Sequence, residues 1–341
     1  MSAGVVRTVT GDLAPEALGT TLAHEHLLCD ITPPELAAKC LPDTPITLET
    51  VFEIRHHWCR HPGNNRLDSI EVAAAELERF QAAGGSAVVE LTVQGIAPDP
   101  RGLRIISERT GITVIAGCGW YTAEFAGELV AARTLAQMER ELVAAVENGI
   151  GDSEVRAGII GEIGCSWPLH ELERKALVAA ARAQAVTGAP ISIHPGRDAA
   201  APHEVLDVLE ANGARPERVI IGHLDRTLIE IDDVLRLAGR GCGLEWDFFG
   251  IESSHYPFAP IDLPNDARRL ELIRVVMDRG HGGQVLIAHD ICTKTRLRSF
   301  GGHGYAHLLE NVVPVMRRKG WTEDEIDLLL IDNPRRFLTL S

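Results

Sequence analysis

A chain of 341 residues, 45% hydrophobic and 24% charged, is composed like a globular protein and is long enough for one large α/β domain or two ordinary ones. Its 48 acidic against 33 basic residues leave a net charge of -15, which argues against a nucleic-acid or anionic-membrane surface. No apolar run of about 18 residues offers a membrane span. The seven cysteines (29, 40, 59, 118, 165, 242 and 292) are scattered, odd in number and free of any Cys-x-x-Cys pair, which predicts reduced thiols. With no export signal legible at the start, the expectation is a cytoplasmic protein that meets a small molecule rather than a membrane or nucleic acid.

Short β-branched or small apolar runs recur along the chain, and we read strands at 21–28, 86–92, 113–121, 157–164, 190–195, 218–225, 241–248 and 284–292. Helical spacing lies between them, as at 70–83, where Leu77 and Phe80 are three apart, and at the Ala-rich 171–186. Thr322 with Glu325 three residues on forms a capping-box pattern before 326–331, which Asn333-Pro334 is expected to interrupt. Two stretches break the rhythm. Residues 29–69, with Pro33-Pro34, Pro42, Pro45 and Pro62-Gly63, and residues 249–283, with Tyr256-Pro257 and Pro260, read as long βα excursions. Eight strand–helix units without a dividing linker predict a single (β/α)8 TIM barrel over 1–341, with long loops at its C-terminal face.

Catalytic groups of such barrels sit at the C-terminal strand ends. In Thr21-Leu22-Ala23-His24-Glu25-His26, alternation puts His24 and His26 on one face and Glu25 on the other. The fourth run ends on Glu162, the fifth on His194-Pro195, the sixth on His223-Leu224-Asp225 and the eighth on His289-Asp290. One such residue is ordinarily a hydrogen-bonded or solvated side chain. Repetition at the same end of five strands points instead to a metal site of neutral imidazoles and carboxylates, suited to zinc and its divalent neighbours. The six residues His24, His26, Glu162, His194, His223 and Asp290 exceed what one catalytic zinc needs. They divide into His24, His26 and Asp290 around one ion, His194 and His223 around a second, and Glu162 as the bridge.

The motifs His24-Glu25-His26, Gly161-Glu162-Ile163-Gly164-Cys165-Ser166-Trp167-Pro168, His194-Pro195-Gly196-Arg197, His223-Leu224-Asp225-Arg226, Ala288-His289-Asp290 and Gly301-Gly302-His303-Gly304-Tyr305 resemble the phosphotriesterase family of the amidohydrolase superfamily, and within it the phosphotriesterase-related branch. The likeness runs nearly end to end. It implies a TIM barrel with a binuclear metal centre, zinc first with manganese, cobalt or iron(II) as alternatives, that hydrolyses esters, lactones, amides or phosphotriesters. Its closest branch implies a small amide such as N-acetyltaurine or another N-acyl amino acid. A lactonase or phosphotriesterase is the alternative enzyme, and a non-catalytic ligand-binding barrel the alternative of another class. Many relatives bridge their metals with a carboxylated lysine, whereas this chain has Glu162, of equal charge and shorter reach. A metal-bridging hydroxide is expected to attack the substrate, with Asp290 as ligand and acid/base.

Around this centre, Arg197, Arg226 and Lys294 follow ligand-bearing strands and are candidates for a substrate anion, and Tyr121, His255, Tyr256 and Tyr305 for the pocket wall. Asp225 reads equally as a proton relay or a structural salt bridge, and His289 as a barrel-to-helix contact. The cluster His56-His57-Trp58-Cys59-Arg60-His61 matches no zinc module. A homodimer is left open.

Overall fold

Runs of Val, Ile and Ala that can be buried on both faces make parallel strands rather than the two-faced strands of an open antiparallel sheet. The computed structural model describes residues 4–34 and 42–340. In it, eight strands lie side by side in chain order, each parallel to the next. They are β1 (Thr21–Glu25), β2 (Ala87–Glu90), β3 (Thr113–Cys118), β4 (Ile159–Gly164), β5 (Ile191–His194), β6 (Val219–Ile221), β7 (Gly243–Trp246) and β8 (Val285–Ile287). The Asp290 N–H donates to the His24 carbonyl at 3.1 Å, bringing the end of β8 against β1 and closing the (β/α)8 ring.

Two apolar layers follow from strand alternation. Ala23, Ala87, Val89, Leu91, Ile115, Ile159, Ile220 and Leu286 fill the barrel interior, floored by Val6, Leu18, Phe337 and Leu338. The neighbours of opposite parity, among them Leu22, Val88, Val114, Ile160, Ile191, Ile221, Leu244 and Ile287, pack outward against the helices. An antiparallel three-stranded sheet of Val5–Thr8, Gly11–Leu13 and Thr339–Leu340 brings both chain ends to that floor. The helix over the β1–β2 crossover, Ile70–Ala82, starts where Ser69 Oγ accepts the Val72 N–H at 3.2 Å and buries Leu77 and Phe80 completely. A fully buried side chain of that kind contributes about 1.5–3 kcal/mol.

The strands end earlier than the apolar runs suggest. β6 stops at Ile221 because His223 turns into the left-handed region (φ 54°), and β8 stops at Ile287, three residues before Asp290 (φ 49°). The excursion expected over 249–283 is a loop only as far as Asn265, which caps the helix Asp266–Val276 by accepting the Arg268 N–H at 3.0 Å. The first excursion carries a strand pair, Cys29–Asp30 with Arg66–Leu67, and the helix Val51–His56; part of it, 35–41, lies outside the described residues. The Thr322 capping box forms, with Thr322 Oγ1 accepting the Glu325 N–H at 3.2 Å. Asn333-Pro334 does not interrupt the helix, however. The chain passes through one wide turn, Leu328–Asp332, into the helix Asn333–Leu338, where Pro334 occupies the first turn and its missing N–H costs nothing. No helix among the described residues is long and apolar enough to cross a membrane.

Candidate metal centre

Three backbone devices aim the predicted side chains into the barrel mouth. Ordinary alternation does so for His194, which shares parity with Ser192 in β5, whereas Asp290, three residues beyond β8, is aimed by a left-handed backbone (φ 49°). Bulges do it for His24 and Glu162. Between Leu22 and Glu25 β1 spends three steps where β2 spends two, from Val88 to Glu90, so His24 is the extra residue and turns in after Ala23. Between Ile160 and Ile163 β4 likewise gains a residue on β5, at Gly161 (φ 124°), which redirects Glu162 from the helix side to the interior. A side chain at Gly161 would be strained by that φ and would run into the Ser192 carbonyl. His223 would face outward by parity; its left-handed backbone turns the ring back, a conformation that costs about 1–3 kcal/mol and recurs at functional sites.

Glu162 lies at the centre, 1% exposed. One oxygen, Oε1, is 3.4 Å from His26 Nε2; the other, Oε2, is 3.1 Å from His194 Nδ1, 3.4 Å from His223 Nε2 and 3.7 Å from His24 Nε2. Asp290 Oδ1 stands 3.3 Å from His26 Nε2 and 3.9 Å from His24 Nε2. All six predicted residues therefore meet in one buried cluster, with His26 on one Glu162 oxygen and His24, His194 and His223 on the other.

Sequence reasoning missed the groups behind the cluster. In β7 and just beyond, Glu245 and Asp247 are two residues apart in an apolar strand and both face inward, a pattern legible in Gly243-Leu244-Glu245-Trp246-Asp247. Asp247 accepts from His223 Nδ1 (2.9 Å) and the His223 N–H (2.8 Å), and lies 3.2 Å from His24 Nδ1, as does Glu245. His26 Nδ1 is held by Thr92 Oγ1 at 2.9 Å, whose own hydrogen is committed to Glu90 Oε1 at 2.5 Å. In its neutral form each of these three imidazoles keeps its hydrogen on Nδ1, which leaves Nε2 as the ligating atom, the carboxylate-backed arrangement of metal-binding histidines.

Burial opposes the charged form of His24, but the Glu162 charge and hydrogen bonds to Asp247 and Glu245 outweigh it and hold its pKa well above the ordinary value. Burial likewise opposes a charged His26, yet Asp290 and Glu162 push it up to about 10. Glu162, despite burial, is held well below the carboxylate range by His24, His194 and His223. Burial raises Glu245 to about 7, whereas Asp247, equally buried, is held far below its usual range by His223 and His24. The cage is anionic and calls for cations. The fit to a metal is tested by His24 Nε2, a buried nitrogen with no hydrogen-bond partner, around which His24, Glu162 and His223 form one ligand group and His24, His26 and Asp290 another. His194 needs two adjustments. Arg226 Nη2 donates to its Nε2 at 2.9 Å and its Nδ1 lies 2.8 Å from His223 Nε2, so an ion at Nδ1 requires both contacts to open.

A cavity of about 390 Å³ opens above the cluster, bounded by both excursions, and His194, His223 and Asp290 reach its floor. Tyr121, Arg197, Arg226 and His255 line it as expected, and Tyr121 Oη is 3.3 Å from His194 Nδ1. Two expected residues do not. Lys294 leaves β8 on the wrong side and pairs with Asp68 at 3.1 Å, while Tyr305 is buried beneath the centre and donates to the His26 carbonyl at 2.6 Å. Asp225 is a structural ion pair: it binds the Arg269 guanidinium and accepts the Asp247 N–H at 2.9 Å. Glu25, turned outward by the bulge at His24, and His289, of outward parity, bond to each other at 2.7 Å. His56 stacks on His255 at 4.3 Å between ring centres, and no metal group forms among the described residues of 56–61.

The sequence model of the Phosphotriesterase family matches residues 4–338. The chain belongs to the phosphotriesterase family. A relative from Homo sapiens, named N-acetyltaurine hydrolase, is 41% identical over 99% of both chains. Among solved structures, a resiniferatoxin-binding protein from Rhodobacter sphaeroides superposes with a TM-score of 0.92 at 34% identity, over 98% of this chain and 95% of its own. The phosphotriesterase homology protein from Escherichia coli, complexed with phosphate in its active site, gives 0.78 at 30% identity, over 94% and 99%. The fold, the buried His/Glu/Asp cluster at the barrel mouth and these relatives make the chain a hydrolase.

Proposed function

We propose that the chain, as one barrel domain, is a binuclear metal-dependent amide hydrolase whose substrate is a small N-acyl amino acid of the N-acetyltaurine kind. The observation that carries the reading is the split of Glu162 between His26 on one oxygen and His194 and His223 on the other, beside the unpartnered Nε2 of His24. Two divalent ions, zinc first, held by His24, His26, Asp290, His194 and His223 with Glu162 between them, would lower the pKa of an attacking water and polarise the substrate carbonyl. The chain's own part is positional and acid–base. Asp247 and the Thr92–Glu90 pair hold three imidazoles in one tautomer. Asp290, 8% exposed at the cavity floor, takes the proton of the attacking water on its free oxygen and returns it to the leaving amine. Trp58 and Phe248 exclude water from the opposite wall. Metal analysis of purified protein, with N-acetyltaurine, a lactone and a phosphotriester assayed in parallel, tests this. Two metals per chain and a preference for the amide are expected; one or none at full activity refutes the binuclear site, and a preferred lactone or phosphotriester refutes the amide.

A further inference from the structure

The wall of the cavity has the opposite charge to its floor. Arg197 Nε donates to the Tyr256 hydroxyl at 2.7 Å, and its guanidinium lies over the rings of Phe258 and Tyr256, 5.1 and 5.9 Å from their centres. Both Nη atoms of Arg197 are without a hydrogen-bond partner among the described residues. Arg296, on the turn after β8, donates through Nη1 to the Asp290 carbonyl at 2.6 Å and lies over Trp58 and Phe248 at 5.0 and 5.7 Å. Its Nη2 has no partner among the described residues. Trp58 packs edge-on against Tyr256 and Phe258, at 5.5 and 6.1 Å, so the two guanidinium groups flank a single aromatic group.

Neither arginine has a carboxylate at ion-pair distance among the described residues, whereas surface arginines such as Arg240 and Arg317 do. Their fields meet inside the cavity. Burial pushes the Cys59 thiol up to about 11, and Arg296 and Arg197 are the two largest influences pulling it back. Among the described residues four arginines line the cavity. Arg226 spends both Nη atoms on Pro195, Thr227 and His194, and Arg55 spends Nη2 on the Thr295 and Gly301 carbonyls. Arg197 and Arg296 instead combine a fixed stem with aromatic stacking and free donors, and repel each other until an anion enters.

We propose that Arg197 and Arg296 form an anion clamp, so that the substrates of this hydrolase carry a sulfonate or carboxylate a few bonds from the scissile amide. The proposal rests on the hydrolase reading for the word substrate, though not for the binding. The wall, with its uncommitted guanidinium donors, accepts such a tail. The anionic end is thereby placed away from Glu162 and Asp290, and the neutral acyl group is left over the candidate ligands. Tyr256 is the positioning residue that keeps Arg197 extended.

The test is calorimetric titration of metal-loaded protein with ethanesulfonate and, separately, propionate. Arg197→Gln and Arg296→Gln are each expected to weaken binding about 10- to 100-fold, the loss of a charge-assisted pair. Tyr256→Phe is expected to weaken it several-fold with both charges intact, and Arg101→Gln, an exposed arginine beside Asp152, to leave it unchanged. The better-bound probe identifies the anion. Unchanged affinity in the two arginine variants overturns the clamp. A protein that hydrolyses a sulfonate-tailed amide and its neutral methyl sulfone twin with equal kcat/KM also overturns it while leaving the hydrolase reading standing. Binding of ethanesulfonate that depends on both arginines, without hydrolysis of any amide, supports the clamp and removes the hydrolase reading.

Discussion

Asp247→Asn is the sharpest probe of how the metal centre is built, because the substitution preserves shape and removes only charge and one acceptor. The carboxylate receives the His223 N–H and lies 3.2 Å from His24 Nδ1 on one oxygen, and receives His223 Nδ1 on the other. An asparagine that keeps its oxygen on His223 Nδ1 must point its amide hydrogens at two other donors. Keeping the opposite arrangement sets the amide against the Nδ1–H of His223. In the first arrangement His24 is left with Glu245 alone of its two carboxylates, and in the second His223 loses the partner that fixes its tautomer. Removing such an outer partner typically costs 10- to 100-fold in metal affinity. Because two imidazoles share this one, we expect about 100-fold, or roughly 2.8 kcal/mol at 1.4 kcal/mol per decade. Zinc affinity is read by competition with a chromophoric chelator, and urea unfolding of the chelated protein shows that the fold survives. A folded variant with zinc affinity within about threefold of the parent would refute the carboxylate's role.

Other consequences follow from the same geometry. Asp290→Asn is expected to retain the fold and lose about 10²- to 10⁴-fold in turnover, the usual worth of a positioned acid–base group; near-normal kcat would contradict that role. In metal-free protein, burial disfavours charged His26, but Asp290 and Glu162 raise its pKa from 6.5 to about 10. Its charged form therefore stabilises the fold fully below pH 6.5, and that contribution is lost as pH rises through about 10. Melting temperatures of chelated protein should fall over this window, and the slope should shrink in His26→Gln or on zinc loading, which displaces the same proton. Arg269→Met leaves the buried Asp225 charge unpaired and is expected to cost about 3–5 kcal/mol in urea unfolding. A loss below about 1 kcal/mol would show that Asp225 is protonated instead.

Much of the architecture was legible because burial on both faces writes itself into composition. Most barrel strands appear as short Val/Ile/Ala runs, β7 with its Gly-Leu-Glu-Trp being an exception, and the six candidate ligands stand at or near the ends of such runs. His289 is separable from Asp290 by parity, whereas Glu25 faces outward only because the bulge at His24 reverses the alternation that starts from Ala23. Parity also misleads, as it would have turned Glu162 and His223 outward, and only a bulge at Gly161 and a left-handed His223 bring them in. Glu245 and Asp247 stand in the sequence as alternating acids at the end of the seventh run, the same kind of signal as Glu162 and Asp290.

Residue chemistry and spacing thus determined the fold class, the identity of the candidate ligands and the strand ends that carry them, since these depend on local patterns of two or three residues. What the tertiary structure alone decided is which groups share a volume. Lys294 and Arg296 are two residues apart in sequence, yet one pairs with Asp68 outside the cavity and the other faces into it. Trp58, from the first excursion, meets Tyr256 from the second across the barrel mouth. Contacts of that kind join segments about two hundred residues apart, and no local period records them; they arise only once the ring of strands has closed and set the two loops face to face.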